Sequence, residues 1–239
     1  DTIMYDLLIL DGRVHDGTGT PWYHGDIAVV GDRITDVGKL KSASARQVIH
    51  ADGRFVCPGF IDLHTHSDLQ LLANPIHTCK IHQGVTTDVI GHDGLGLAPV
   101  TRKTAAILQD QLSAWNGCPD LEWDWTNITT YLDRFENNVA VNVAMLAPHG
   151  TIRMLVMGIE DRTPENDEMK QMKSLVDRCM AEGCIGLSTG LTYSPCMYAS
   201  DDEMVELCRA LKPYNGFYCP HHRSYGRDVL QANYDTIEI

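Results

Sequence analysis

Hydrophobic and polar positions alternate in short runs over the first 57 residues. Four such runs read YDLLIL, GRVHDG, GDIAVV and RITDVG, and Gly31-Asp32 separates the last two as a hairpin turn would. Alternation with a period of two places every second side chain on one face, which is typical of strands with one buried face. The pattern therefore predicts a small all-β unit at residues 1–57.

After residue 57 the pattern changes to strand-like runs separated by helical periodicity. The strand-like runs end near His66, His92, Pro148, Leu191 and His222. Two helices carry start signals: Thr163-Pro164 precedes an apolar stripe that continues to Cys179, and Ser200 to Glu203 form a capping-box pattern. Strands that alternate with helices at this interval predict a parallel sheet, and a (β/α)8 TIM barrel is the leading candidate for residues 58–239.

The number of strand candidates is too small for a closed barrel. Only five follow residue 57, whereas a complete barrel has eight βα units and typically about 250 residues. The sequence stops at YDTIEI, within a helical pattern and without a capping glycine. We therefore expect a completing polypeptide, either the continuation of a longer product or a second chain, to supply the missing strands.

Composition argues against several classes of partner. Nineteen Lys and Arg residues against 32 Asp and Glu residues give a net charge of −13, with the charges interspersed along the chain. Such a chain is a poor ligand for nucleic acid or for an anionic membrane surface. No apolar run reaches the length of a membrane span, no secretory signal opens the sequence, and the eight cysteines contain no C-x-x-C pair. These features predict a cytoplasmic protein that binds neither nucleic acid nor membrane.

Two histidines at the end of the first barrel strand are candidates for metal binding. His64 and His66 flank Thr65 directly after the apolar residues of that strand. Positions i and i+2 of a strand share a face, so the two imidazoles would form the near half of a divalent-metal site. A His-x-His pair also arises by chance, and the alternative is a pair of structural histidines.

Polar residues follow the other strand candidates at equivalent positions. They are His92 and Asp93 after the second, His149 after the third, Ser188, Thr189 and Tyr193 at the fourth, and His221, His222 and Arg223 at the fifth. Each has a structural alternative: Asp93 before Gly94 can be a turn residue, and the neighbours His221 and His222 point to opposite sides of a strand. Parallel α/β folds keep their active sites at the carboxyl ends of strands. The shared position therefore favours a metal site over coincidence.

Five segments carry a resemblance to a known family. In chain order they are PGFIDLHTHSDL, GVTTDVIGHDGLGLAP, APHGTIRMLVMG, GCIGLSTGLTYSP and YCPHHRSYG. Together they resemble the D-aminoacylase (N-acyl-D-amino-acid deacylase) branch of the metal-dependent amidohydrolase superfamily, over nearly the whole chain. The resemblance implies a (β/α)8 barrel, a β-sandwich built from both chain termini, and one or two zinc ions, or another divalent metal, at the strand ends.

The resemblance also implies roles for individual residues. His64, His66 and His221 match zinc ligands, and Asp93 stands where many family members have a cysteine ligand. Because a carboxylate is harder than a thiolate and can bridge two cations, metal number and preference are open at this position. Candidate substrate contacts, of which the first two match positions near the substrate in the family, are Tyr193, Arg223, Ser188, His149 and His222.

The family's remaining histidine ligand and its catalytic aspartate lie on strands after the fifth. The resemblance therefore predicts a zinc-dependent hydrolase of N-acyl-D-amino acids, or of related linear or cyclic amides, that is active only with its completing polypeptide. The alternative is a non-catalytic half-barrel that serves as a structural component. Arg223 could pair with a substrate carboxylate or anchor a loop, and a lid, an interface or ordinary packing could explain Trp115, Trp123 and Trp125.

Overall fold

A computed structural model of the protein describes residues 4–239. The chain divides into two compact units, Asp1–Gly59 and Phe60–Ile239. The described strands are β1 Met4–Val14, β2 Tyr23–Val30, β3 Arg33–Gly38, β4 Ser44–His50, β5 Phe55–Val56, β6 Phe60–Asp62, β7 Val85–Ile90, β8 Asn142–Pro148, β9 Gly186–Gly190 and β10 Phe217–His221. The described α-helices are α1 Gln70–Ala73, α2 Thr78–Ile81, α3 Arg102–Asn116, α4 Ile128–Leu132, α5 His149–Met157, α6 Asn166–Ala181, α7 Asp201–Cys208 and α8 Val229–Glu238. Short 3-10 helices span His92–Gly94, Cys196–Tyr198 and Arg209–Tyr214. No helix among residues 4–239 has the length and apolar character to cross a membrane.

The first unit is built on one five-stranded sheet. Its main order is β3-β2-β1-β4, with β5 also paired to β1. The predicted runs YDLLIL and GRVHDG merge into the single strand β1, because a bulge between Ile9 and Gly12 lets the strand bend without ending. The predicted hairpin turn is present at Gly31, whose φ is 59°. Within residues 4–59 the structure describes this sheet, and a second layer that would make it a sandwich stays a prediction.

The second unit contains five parallel strands in the order β10-β9-β8-β7-β6. Each strand from β7 to β10 pairs in parallel with the strand that precedes it in the chain. Helices lie in the connections between the strands. This is the arrangement of the first part of a (β/α)8 barrel, so the prediction of a parallel sheet with five βα units is confirmed.

One apolar cluster fills the space between this sheet and its helices. Met145 and Leu187 reach the cluster from β8 and β9, and Met172 and Val176 reach it from α6. All four side chains are fully buried. Burial of a side chain of this size stabilises the fold by about 1.5–3 kcal/mol, so apolar contact is the main force that holds α6 on the sheet.

The sequence marks the starts of two helices with different accuracy. Ser200 caps α7 as predicted, because its hydroxyl accepts a hydrogen bond from the Glu203 N–H at 3.2 Å. The Glu203 carboxylate, however, turns into the interior instead of returning to the cap. Helix α6 has Glu165 as its N-cap, two residues after the predicted cap at Thr163. The later start is stabilised by the Glu168 carboxylate, which accepts a hydrogen bond from the Glu165 N–H at 2.7 Å.

Both edges of the parallel sheet lie beside exposed apolar side chains. In and just after β6 the exposed side chains are Phe60 (60%), Ile61 (59%) and Leu63 (64%). After β10, helix α8 exposes Leu230, Tyr234 and Ile237. Within the described residues β6 and β10 each pair on one side only, so each leaves a row of backbone N–H and C=O groups without a strand partner.

Candidate metal centre

His64 and His66 lie just beyond the first strand of the parallel sheet. Strand β6 ends at Asp62, and the chain bends before it reaches the two histidines. Their common orientation comes from this bend and not from strand alternation, which corrects the expectation of a strand through both residues. The Asp62 carboxylate accepts a hydrogen bond from the His64 N–H at 3.2 Å and another from Lys80. Lys80 also donates to Thr65 Oγ1 at 3.0 Å, so the bend is held on both sides of His64.

Asp93 occupies a tight turn after β7. Gly91, Asp93 and Gly94 have φ values of 78°, 56° and 69°, all in the left-handed region. The turn directs the buried Asp93 carboxylate toward the two histidines. Asp93 Oδ2 lies 3.2 Å from His66 Nε2, and Asp93 Oδ1 lies 3.6 Å from His64 Nε2.

The fifth strand brings a third imidazole to the same carboxylate. His221, the last residue of β10, places its Nδ1 at 3.5 Å from Asp93 Oδ1. The structure thus brings ligand atoms of three predicted ligands, His64, His66 and Asp93, to within 4.8 Å of one another. The fourth, His221, approaches this group at Asp93. Ligands at about 2.0–2.1 Å from a tetrahedral zinc ion lie about 3.3–3.4 Å from one another. The distances from Asp93 to the imidazoles, 3.2, 3.5 and 3.6 Å, have the size that such a site needs.

The electrostatics of this cluster also fit a metal ion. Burial raises the pKa of the Asp93 carboxyl, but His66 and His221 lower it more, so the pKa lies below its ordinary value. The hydrogen bond with Asp93 raises the pKa of His66, whereas burial lowers the pKa of His221. Asp93 Oδ1 is buried and has no hydrogen-bond donor among the described residues. Because a buried carboxylate oxygen without a donor is costly, coordination of a divalent cation by these residues would stabilise the site.

Tyr193 and His222 lie beside the cluster. The Tyr193 ring is 4.8 Å from the His221 ring, measured between centroids. His222 stacks on Tyr225 at 5.5 Å, and Tyr225 is in turn 4.6 Å from the His221 ring. Both Tyr193 and His222 are half-buried. They stay candidates for substrate contact.

The other three predicted substrate contacts have partners inside the same unit. Arg223 donates to the Asp201 carboxylate at 2.7 Å, which is the loop-anchoring alternative. Ser188 and His149 are fully buried. The Ser188 hydroxyl bonds the backbone of the turn after β7, and the His149 ring bonds the Glu203 carboxylate at 2.9 Å. Both side chains therefore have hydrogen-bond partners within the protein, and their contact with substrate stays a prediction.

Two further residues support or border the cluster although the sequence assigned them no specific role in it. Asp68 Oδ1 accepts a hydrogen bond from the Gly91 N–H at 3.0 Å and fixes the start of the turn that carries Asp93. Trp115 lies 4.9 Å from the His66 ring and 5.2 Å from the Tyr193 ring. The spacing of Asp68, two residues after His66, is a usable signal. Trp115 comes from the end of α3, and nothing in its local sequence marks it.

The fold and the cluster define a parallel βα protein with a histidine–carboxylate site at the carboxyl ends of its strands. The sequence model of the amidohydrolase family matches residues 47–234. The chain therefore belongs to the amidohydrolase family.

Individual relatives confirm the resemblance to the D-aminoacylase branch. A D-aminoacylase from Alcaligenes xylosoxydans xylosoxydans is 37% identical over 240 residues, which cover 100% of this chain and 49% of that protein. A D-aminoacylase structure, described for the role of its binuclear metal centre, matches with a TM-score of 0.86 and 38% identity over 98% of this chain and 48% of its own. The N-acyl-D-glutamate deacylase of Bordetella bronchiseptica, solved with zinc, matches with a TM-score of 0.84 and 28% identity over 99% of this chain and 49% of its own. The chain thus spans about half the length of these relatives.

Proposed function

We propose that the protein is a zinc-dependent amidohydrolase that cleaves the amide bond of N-acyl-D-amino acids or of related linear or cyclic amides. The observation that carries this proposal is the meeting of His64, His66 and His221 on one buried carboxylate, that of Asp93. The D-aminoacylase and the N-acyl-D-glutamate deacylase bear names that describe substrates of this class. The zinc in the deacylase structure is a metal that histidine and carboxylate ligands suit.

The Asp93 carboxylate is shared between the histidines. Its Oδ2 faces His66, and its Oδ1 faces His64 and His221. Such a carboxylate would serve as a ligand to one or two zinc ions together with the three imidazoles. When bound, zinc polarises the amide carbonyl and lowers the pKa of a water molecule.

Aromatic side chains beside the cluster form the near wall of the substrate site. Trp115 lies against His66 and Tyr193, and Tyr225 lies against His221. Aromatic rings of this kind bury apolar parts of a ligand. The Tyr225 hydroxyl accepts a hydrogen bond from the His222 N–H at 3.3 Å, so Tyr193 is the candidate for a polar contact with the substrate. In this proposal the wall contacts the acyl group or the side chain of the substrate.

A completing polypeptide, continuous with this chain or separate from it, closes the barrel. The free edges of β6 and β10 and the exposed apolar residues beside them are surfaces that proteins usually cover. The coverage of about half of each relative supports the same view. By the family resemblance, the completing polypeptide supplies a further histidine ligand and the aspartate that passes a proton to the leaving amine. It also supplies the strands that complete a β-sandwich with residues 1–57.

Metal content and turnover of the complete protein test this proposal. We expect about one or two zinc equivalents by mass spectrometry, and release of the free amino acid from N-acetyl-D-leucine but not from its L enantiomer. His64→Ala should reduce the bound zinc and lower turnover by at least about 100-fold, since even groups that only support a metal ligand are worth about 10–100-fold. His82→Ala, at an exposed histidine after α2, is the matched control and should keep both properties. Undiminished hydrolysis by His64→Ala would contradict the proposal, as would a complete protein without bound metal or activity.

A further inference from the structure

The turn that carries Asp93 has a backbone that needs support. Gly91, Asp93 and Gly94 have φ values of 78°, 56° and 69°. The two glycines adopt this left-handed region freely, but Asp93 carries a Cβ atom and is strained there. Strained residues persist only where the surrounding structure holds them. The support for Asp93 must therefore come from groups outside the turn.

Ser188 ties the two ends of this turn together. Its hydroxyl donates to the Gly91 carbonyl oxygen at 2.5 Å and accepts a hydrogen bond from the Gly94 N–H at 3.1 Å. These two backbone groups lie on either side of Asp93 in the chain. Ser188 is fully buried on β9, so solvent does not compete for either bond. One side chain thus fixes both the entry and the exit of the turn.

Tight packing restricts the turn further. A Cβ atom at Gly190 would lie 2.5 Å from the Asp93 carbonyl oxygen, and a Cβ atom at Gly94 would lie 2.7 Å from Cys196 Sγ. The turn therefore rests directly on β9 and on the segment that follows it. Packing limits where the turn can lie, and hydrogen bonds to Asp68 and Ser188 hold its ends.

We propose that Ser188 is a positioning residue for the metal centre, because its hydroxyl holds the turn in the one orientation that points the Asp93 carboxylate at His64 and His66. The inference rests on the proposed function, since it treats Asp93 as a metal ligand. The Ser188 hydroxyl bonds the backbone of the turn, so in this role it acts on the site through Asp93. Loss of the hydroxyl frees both ends of the turn, lets the strained Asp93 relax and so weakens metal binding.

Zinc affinity of the complete protein carrying Ser188→Ala tests this role. We expect the dissociation constant for zinc, measured by competition with a chelating dye, to rise about 10–100-fold, the effect of removing a group that supports a metal ligand. In the metal-free Ser188→Ala variant we expect hydrogen exchange in a peptide over residues 91–97 to be faster than in the metal-free wild type. The turn of the variant can open without breaking the hydrogen bonds that Ser188 forms in the wild type. Ser188→Cys keeps the size of the side chain but forms weak hydrogen bonds, so it should change both quantities in the same direction.

Thr151→Val is the matched control. Thr151 is fully buried, and its hydroxyl donates to the Gly96 carbonyl oxygen at 2.7 Å, two residues beyond the turn. The variant therefore also loses one buried hydroxyl that bonds the same loop. Its melting temperature should fall to a similar degree, but its zinc affinity should stay within about threefold of the wild type because the support of Asp93 is intact.

The possible results separate this role from the proposed function. Unchanged zinc affinity in Ser188→Ala overturns the proposal, and so does an equal loss in Thr151→Val, since affinity would then merely follow stability. If the wild-type protein binds no zinc, the proposed function fails, and hydrogen exchange alone tests whether Ser188 holds the turn. Faster exchange at residues 91–97 in Ser188→Ala then supports the positioning role, and unchanged exchange overturns it. If Ser188→Ala does not fold, Ser188→Cys provides the same comparison.

Discussion

Replacing Glu203 with glutamine tests a buried ionic cluster that links α7 to α5. The Glu203 carboxylate accepts hydrogen bonds from Arg153 Nη1 at 2.8 and 2.6 Å and from His149 Nε2 at 2.9 Å. These three residues are no more than 1% exposed. Burial raises the pKa of Glu203, but His149 and Arg153 lower the same pKa more. For His149 the directions are reversed: burial lowers its pKa, but Cys196 and Glu203 raise that pKa to about 9. At neutral pH the Glu203 carboxylate therefore faces the Arg153 guanidinium and the His149 imidazolium, and Cys196 lies against the same imidazole.

Glutamine keeps the size of the side chain and removes its charge. Arg153 and His149 would then keep positive charges in the interior without this anion. Removal of one partner from a buried ion pair costs about 3–5 kcal/mol. In a domain of this size each kcal/mol lowers the melting temperature by roughly 2–4 °C, so we expect Glu203→Gln to lower it by roughly 6–20 °C. Scanning fluorimetry and urea denaturation of the complete protein measure the change.

Glu206→Gln is the control, because it makes the same substitution nearly one turn further along α7. The Glu206 side chain is 35% exposed and pairs with Lys173 and Arg209. Each exposed ion pair contributes about 0–1 kcal/mol, so the loss of both pairs should lower the melting temperature by no more than roughly 8 °C. Equal shifts in the two variants would refute the reasoning, because burial would then make no difference to the cost of the lost charge.

Three further changes test separate features. Gly190→Ala should destabilise the protein by about 1–3 kcal/mol and weaken zinc binding, because the new Cβ would lie 2.5 Å from the Asp93 carbonyl oxygen. The control Gly226→Ala should be neutral in the same assays, because a Cβ atom there has no neighbour within 4 Å. Equal effects of the two substitutions would argue against the contact at Gly190. Iodoacetamide at pH 8 should leave Cys179 unlabelled in the folded protein, because burial raises the pKa of its thiol to about 12. Labelling of the folded protein as fast as that of the protein in urea would contradict this prediction. Met172→Ala removes a fully buried side chain and should lower the free energy of unfolding in urea by about 2–5 kcal/mol, whereas a loss below about 1 kcal/mol would show that the core refills the cavity.

The sequence by itself determined the order of strands and helices and the chemistry at the strand ends. Apolar periodicity and helix caps depend on residues a few positions apart, so they can be read without a structure. The carboxyl ends of parallel strands meet at one edge of a sheet, which is why residues as distant in the chain as His64, Asp93 and His221 could be expected together. Even there the local geometry differed, since His64 and His66 lie in a bend past the end of β6.

Only the tertiary structure decided which polar side chains face the site and which support it from within. Glu203 has the local pattern of a capping-box residue, yet it turns inward because its partner Arg153, 50 positions away, lies on a neighbouring helix. The sequence pattern groups Ser188 with the candidate residues at the strand ends, but Ser188 lies in the middle of β9, and its hydroxyl bonds backbone groups 94 and 97 positions away. Local sequence sets the conformation of each segment. The burial of a polar group and its hydrogen-bond partners depend on how distant segments pack, and no local pattern encodes that.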